Sequence, residues 1–237
     1  MMVDVSRETP PEPDAAVVTQ VFAPGRLDVL RRYAALLASE GVVRGLIGPR
    51  EVARLWDRHL LNCGLLAPLV PEGARVADLG SGAGLPGLVL ALARPDLEVT
   101  LIEPMARRTA FLEEACALLG ADRVTVVRGR AEDLAGAAEL FDVVTARALA
   151  PLPRLLAWAM PLVTPGGCLL AMKGSAAAHE VAGARSELTG WHSDAEVVRC
   201  AVPGASPTNV VRVVRSDAPA IGWQATATAR RRRRERT

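Results

Sequence analysis

The sequence predicts an α/β fold, a mostly parallel, doubly wound sheet preceded by a helical extension. Three observations predict it. From residue 75 onward, short apolar runs alternate with helical segments at the spacing of right-handed β–α–β crossovers. A glycine-rich stretch, ADLGSGAGLPG at 77–87, follows the first run, where a strand turns into a ligand-facing helix. Two helical segments precede that first run with no strand between them.

Taken in order, residues 1–20 are polar and proline-rich at their start and read as disordered, without the apolar core of a signal peptide. Residues 21–70 read as N-terminal helices: LDVLRRYAALLASE carries apolar residues at helical spacing and ends at Gly41. PREVARLWDRHLLNCGLL opens with Pro49, a favoured first-turn residue. The core is expected over 71–217, after a turn at Pro71-Glu72-Gly73. RVADL is its first strand, and Pro86 starts the helix that follows but would break it from within. EVTLIE is the second strand, followed by a helix that Gly120 closes. RVTVVRG, FDVVTARA and CLLAMKG are strands three to five, with PLPRLLAWAMPLV as a helix between the last two. EVVRCAVP and NVVRVVRS end the core as an antiparallel pair. The pattern leaves strand order open. It does place ligands at the C-terminal strand ends. Residues 218–237 read as a disordered basic tail.

Composition narrows the function classes. A chain of 237 residues suits one well-buried domain with appendages. Half the residues are hydrophobic, yet no run approaches the roughly 20 apolar residues of a membrane span. The expectation is a cytoplasmic protein with no membrane partner. Cys63, Cys116, Cys168 and Cys200 are widely spaced and form no C-x-x-C pair, which argues against a zinc site or disulfide framework and for buried free thiols. The arginine-rich end, Arg230–Arg234 and Arg236 against Glu235, carries +5 of a net +2, so the preceding residues sum to −3. Affinity for phosphates must therefore come from local patches and the tail. Lys173 is the only lysine.

The glycine loop poses a choice of ligand. Gly82, Gly84 and Gly87 satisfy the dinucleotide fingerprint G-x-G-x-x-G. Asp78, however, precedes the loop, and a carboxylate there repels phosphates and suits a cationic amine such as that of S-adenosylmethionine. On that reading the informative glycines are Gly80, Gly82 and Gly84, which let backbone approach a ligand closely. Glu103 ends the second strand about 20 residues on, where an acidic residue accepts ribose hydroxyls of either cofactor. Ala131-Glu132-Asp133 follows the third strand and offers a backbone amide and a carboxylate to an adenine edge; Asp133 is equally a helix cap. Together these features resemble a class I (Rossmann-like) methyltransferase. An NAD-dependent oxidoreductase is the rival, but it lacks a Tyr-x-x-x-Lys pair and needs phosphates beside Asp78.

Six segments carry a narrower resemblance: WDRHLLNC at 56–63, GSGAGLPG at 80–87, EP…RR…FLEE at 103–114, GRAED at 129–133, TARALAPL at 145–152 and MKG at 172–174. Over roughly residues 24–215 the chain resembles the RsmG (GidB) family, bacterial methyltransferases of guanine N7 in the 530 loop of 16S ribosomal RNA. The resemblance implies S-adenosylmethionine contacts at Gly80, Leu85, Ala131, Glu132 and Arg147, with Glu103 near the ribose. It implies 16S RNA, a 30S subunit or an assembly intermediate as partner; the chain is expected to be a monomer. Position 63 is cysteine where many relatives carry serine. A class I methyltransferase acting on a protein or small molecule is the alternative substrate reading.

Guanine N7 carries a lone pair in the neutral base, so in-line transfer needs no general base and rests on positioning. The fourth strand agrees, ending in T-A-R-A without carboxylate or histidine. The expected catalytic set is Arg147, for the cofactor carboxylate or an RNA phosphate; Lys173, for RNA phosphate or base; and Arg58 with His59, gripping RNA or closing the site from the N-terminal helices. Arginines 107, 108, 123, 128 and 130 are candidates for a phosphate footprint. With aromatics at 3%, an open stacking platform for single-stranded RNA is not expected.

Overall fold

The computed structural model describes residues 10–134 and 140–216. Its strands are β1 (Arg75–Leu79), β2 (Glu98–Glu103), β3 (Val124–Arg128), β4 (Phe141–Arg147), β5 (Val163–Lys173), β6 (Ala195–Cys200) and β7 (Thr208–Val214). They form one sheet in the order β3-β2-β1-β4-β5-β7-β6. The first five are parallel, and β7 runs antiparallel to both β5 and β6. The order reverses between β1 and β4, and that switch point fixes where a ligand crevice opens. The register there places Asp78 beside Leu101 of β2 and Thr145 of β4.

Before the sheet come α1 (Ala15–Val21) and α2 (Leu27–Leu36), the latter continuing as a wider turn over Leu37–Gly41. Helix α1 corrects the expectation of disorder through residue 20. The Asp14 side chain accepts from the Ala16 amide at 2.8 Å, a side-chain cap on the first turn, and Val18 is buried. The predicted helix over 49–66 is a succession: a tight turn at Pro49–Arg54, a wide one at Trp56–Leu61, then α3 (Asn62–Gly64). Further on, α4 (Gly87–Ala93) starts at Pro86, and α5 (Ala106–Leu119) stops at Gly120 in the left-handed region with φ 65°. Then α6 (Ala131–Leu134) and α7 (Leu152–Ala159) flank β4. Two helices not expected from the sequence, α8 (Ala177–Gly183) and α9 (Arg185–Gly190), lie between β5 and β6. Their small and polar residues leave only Ala177 and Leu188 buried within them, too thin a stripe to read as periodicity.

Each sheet face has its own core. Leu30, Tyr33, Trp56 and Leu60 from the N-terminal segments join Leu88 and Phe111 from α4 and α5 on one face. Leu152, Leu155, Leu188 and Trp191 cover the other. Burial of each large side chain is worth about 1.5–3 kcal/mol, so the N-terminal helices are part of the main core. All four cysteines are free; Cys63 and Cys168 are buried, and Cys116 and Cys200 are partly so. The predicted tail, 218–237, lies outside the described residues, as do residues 1–9.

Candidate active site

The glycine loop is built by carboxylates beneath it. Asp78, fully buried, accepts from the Gly87 amide at 3.0 Å through one oxygen and from the Thr145 hydroxyl at 3.1 Å through the other. Its carboxyl therefore clamps the start of α4. This corrects the expectation that Asp78 faces the ligand space. Burial pushes its pKa up to about 6, against the hydrogen bonds from Gly87 and Thr145 that favour the charged form. Gly87 has no room for a side chain: a Cβ would lie 2.5 Å from Leu101 and 2.6 Å from the Asp78 Cβ. Buried Tyr33 of α2 holds the loop from the other side, its hydroxyl donating to the Ala83 carbonyl. Nothing in the local pattern marks Tyr33, which reads simply as a core residue of its helix.

Glu103 is buried under the same loop. Its oxygens accept from the amides of Gly82 and Met105, each at 3.0 Å, and Arg108 approaches to 3.6 Å. Each oxygen keeps a further lone pair for a ribose hydroxyl. Gly80, Gly82 and Gly84 all adopt positive φ, at 66°, 59° and 94°. At Gly82 a Cβ would meet nothing within 4 Å except the Gly80 carbonyl oxygen at 3.8 Å. At Gly82 the loop is thus clear of side chains, and with Glu103 beside it the site fits a cofactor with an adenosine ribose. The Leu85 amide is turned inward, donating to the Ser81 carbonyl at 3.1 Å. Ala131 is buried at the start of α6 and Glu132 beside it is exposed. Both lie after β3, on the Glu103 side of the switch point.

On the other side of the switch point is a cleft of about 1020 Å³, lined by residues including Arg54, Arg58, Asn62, Arg147, Lys173 and Asn209. Arg147, at the end of β4, latches the N-terminal segments to the sheet. One guanidinium nitrogen donates to the Arg58 carbonyl at 3.0 Å and lies 2.9 Å from His59 Nδ1; the other lies 3.4 Å from Cys63 Sγ. A guanidinium only donates, so Nδ1 accepts and the proton sits on Nε2, 3.2 Å from Glu51. Burial, then the nearby Arg147 charge, lower the His59 pKa below its ordinary value. Neutral His59 is thus tied into the latch between Glu51 and Arg147. Arg58 spans both Glu51 oxygens at 3.2 Å. Burial pushes the Cys63 thiol up to about 11, so it remains a neutral partner for Arg147.

Lys173 departs from expectation. Its side chain is 7% exposed, and Nζ lies 2.8 Å from Glu180 and 2.6 Å from the Ala150 carbonyl. The same carboxylate accepts from the Leu152 amide at 2.8 Å. The lysine thus fixes the segment after β4 and is not a free ammonium awaiting phosphate. Glu180 lies in a helix the sequence did not reveal. Within the fixed segment Ala148 has φ 50°, and Leu149 reaches over the glycine loop: a Cβ at Gly80 would come within 2.6 Å of it. Among the footprint candidates, Arg123 is misplaced. It precedes β3 at the opposite, N-terminal edge and pairs with Glu98 at 2.9 Å. Arg107, Arg128 and Arg130 are exposed near the C-terminal edge.

The family model described as rRNA small subunit methyltransferase G matches residues 26–204. The chain belongs to this family. The ribosomal RNA small subunit methyltransferase G of Nocardioides sp. is 59% identical over 240 residues, covering 98% of this chain and 92% of that relative. Its counterpart from Thermobifida fusca is 55% identical over 201 residues, 84% of each. Among solved structures, cofactor-bound Rv0187 from MTB aligns with a TM-score of 0.57 at 22% identity, over 89% of this chain and 100% of that one. The O-methyltransferase TomG from Streptomyces achromogenes, in complex with SAM, aligns with a TM-score of 0.50 at 21% identity, over 66% and 78%. These two show the shared fold. Membership in the family makes this chain an rRNA methyltransferase, with S-adenosylmethionine as the methyl donor expected from its loop. The cysteine at position 63 fits the structure: the latch from Arg147 needs only a small acceptor there, and the thiol serves.

Proposed function

We propose that this chain methylates N7 of a guanine in the 530 loop of 16S ribosomal RNA, acting as a monomer in the cytoplasm on RNA held in a 30S particle or its assembly intermediate. Among the described residues no helix is long and apolar enough to cross a membrane. S-adenosylmethionine, when bound, supplies the activated methyl group. Gly80, Gly82 and Gly84 would hold it with Glu103, Ala131 and Glu132, while Asp78 keeps the loop in shape from below and Arg147, held in its latch, sets the loop against the cleft.

One observation carries the base-free mechanism. Among the described residues, Glu180 is the one carboxylate lining the cleft, and it is committed to Lys173 and the Leu152 amide. His59 is locked between Glu51 and Arg147. Among the described residues no carboxylate or histidine is left poised in the cleft as a base, and attack by N7 requires none. With the methyl donor bound, the N7 lone pair would accept the methyl group directly, so the chain need remove no proton. The protein's contribution is alignment and exclusion of water. Arg147 sits at the seam between loop and cleft and sets their relative position through the latch.

The test incubates the purified chain with labelled cofactor and 30S particles lacking the modification, then maps the label. A single methylated guanine N7 in the 530 loop is expected. Label on protein, on another base, or on no RNA at all would refute the assignment.

A further inference from the structure

We propose that Arg54 is the side chain through which the cleft grips a phosphate of its RNA substrate. The inference deepens the assignment of 16S RNA as substrate and rests on it. Among the described residues, four cationic side chains line the cleft: Arg54, Arg58, Arg147 and Lys173. Three are already engaged by the protein. Arg58 bridges Glu51, Arg147 is spent on the latch to Arg58, His59 and Cys63, and Lys173 is buried against Glu180. Arg54 is exposed and, among the described residues, makes no hydrogen bond, ion pair or ring contact.

Its surroundings favour an anion. Arg54, Arg58 and Asn62 stand four residues apart in sequence, and all line the cleft. Asp57 does not line the cleft; its two oxygens accept from the amide (3.0 Å) and the hydroxyl (2.8 Å) of Ser206, a residue of the cleft wall. Glu51 is paired with the Arg58 guanidinium and hydrogen-bonded by neutral His59. An unengaged guanidinium keeps its planar donor fork for bidentate contact with phosphate oxygens. A phosphodiester reaching Arg54 would bring the rest of the strand along the same cleft toward Arg147. The division of labour is then clear: Arg54 binds RNA, and the paired cations shape the walls.

The test compares the full chain with Arg54→Ala, Arg54→Lys and Arg123→Ala, the last a charge-matched control at the opposite sheet edge. Binding to unmodified 30S particles and methyl transfer are measured across a salt series. For Arg54→Ala we expect a several-fold rise in the KM for particles, with kcat and cofactor Kd unchanged. The slope of log affinity against log salt should fall in magnitude by about 0.7–0.9, one phosphate contact. Arg54→Lys should restore most of that slope, since the charge is kept. An Arg54→Ala protein with the KM and slope of Arg123→Ala overturns the inference, as does a loss confined to kcat. If the unaltered chain transfers no methyl to RNA, the substrate assignment fails; the binding series alone then decides for or against Arg54.

Discussion

The two halves of the sheet's C-terminal edge are held together in different ways. The backbone of the glycine loop is closed by contacts between residues near in sequence, with Tyr33 and Thr145 reaching it from 50 and 67 positions away. Gly87 bonds Asp78 nine positions away, and Gly82 bonds Glu103 at 21. The cleft half is assembled from afar: Arg147 reaches His59 across 88 positions, and Asp57 reaches Ser206 across 149. A loop that folds on its own strand and helix can be recognised from a dozen residues. A cleft joined across the whole chain cannot, because each partner looks like an ordinary surface side chain until the fold brings them together.

Arg147 joins the two halves, and its removal should do the most damage. Arg147→Ala is expected to lower turnover on the order of 100-fold, the scale for misplacing reacting groups, and to weaken cofactor binding as well. Arg147→Lys should not rescue it, because an ammonium cannot reach the Arg58 carbonyl, His59 and Cys63 together. Steady-state kinetics and calorimetry on both variants check this. Near-normal kcat in Arg147→Ala would break the idea of a seam.

Within the loop half, Asp78 makes a pH-dependent prediction. Its folded pKa, about 6, lies above the ordinary carboxylate value of 3.8. Its contribution to stability is therefore fullest below pH 4 and is lost as pH rises through 6. The loss at pH 7 is about 2–3 kcal/mol, from roughly two pKa units at 1.36 kcal/mol each. Asp78→Asn does not titrate, so its stability relative to the unaltered chain should improve by that amount between pH 4 and pH 7. Denaturant unfolding at both pH values measures it, and a pH-independent difference would contradict the buried, loop-clamping carboxylate.

Within the cleft half, Lys173→Ala should reduce turnover several-fold while sparing cofactor affinity. The cause is a loosened segment after β4, since Lys173 and Glu180 together hold Ala150 and Leu152. A double-mutant cycle with Glu180→Gln should show strong coupling. Additive losses would return Lys173 to an independent role in RNA contact.

The same contrast explains what was legible in the sequence. Strand positions, the glycine loop, Glu103 and the resemblance to the family followed from local pattern. Asp78 was found but turned the wrong way, because sequence gives a residue's place on a strand and not the amide it meets. Lys173 was found but given a free charge, because its partner Glu180 lies in α8, whose small residues hide it. Tyr33, Glu51 and Leu149 went unmarked: the first reads as core, the second as surface, and the third gains meaning only by packing over Gly80.

The separation of the two halves is tested most directly by a paired measurement on Gly82→Ala and Arg54→Ala. At Gly82, a Cβ meets no steric obstacle but does enter the cleared face of the loop at φ 59°, with a backbone penalty of about 1–2 kcal/mol. The protein should still fold. Cofactor Kd and RNA affinity are then measured for both variants. The expected result is a crossed pattern: Gly82→Ala loses cofactor affinity and keeps RNA binding, while Arg54→Ala does the reverse. Loss of both ligands in both variants would contradict the division of the edge into a cofactor half and a substrate half.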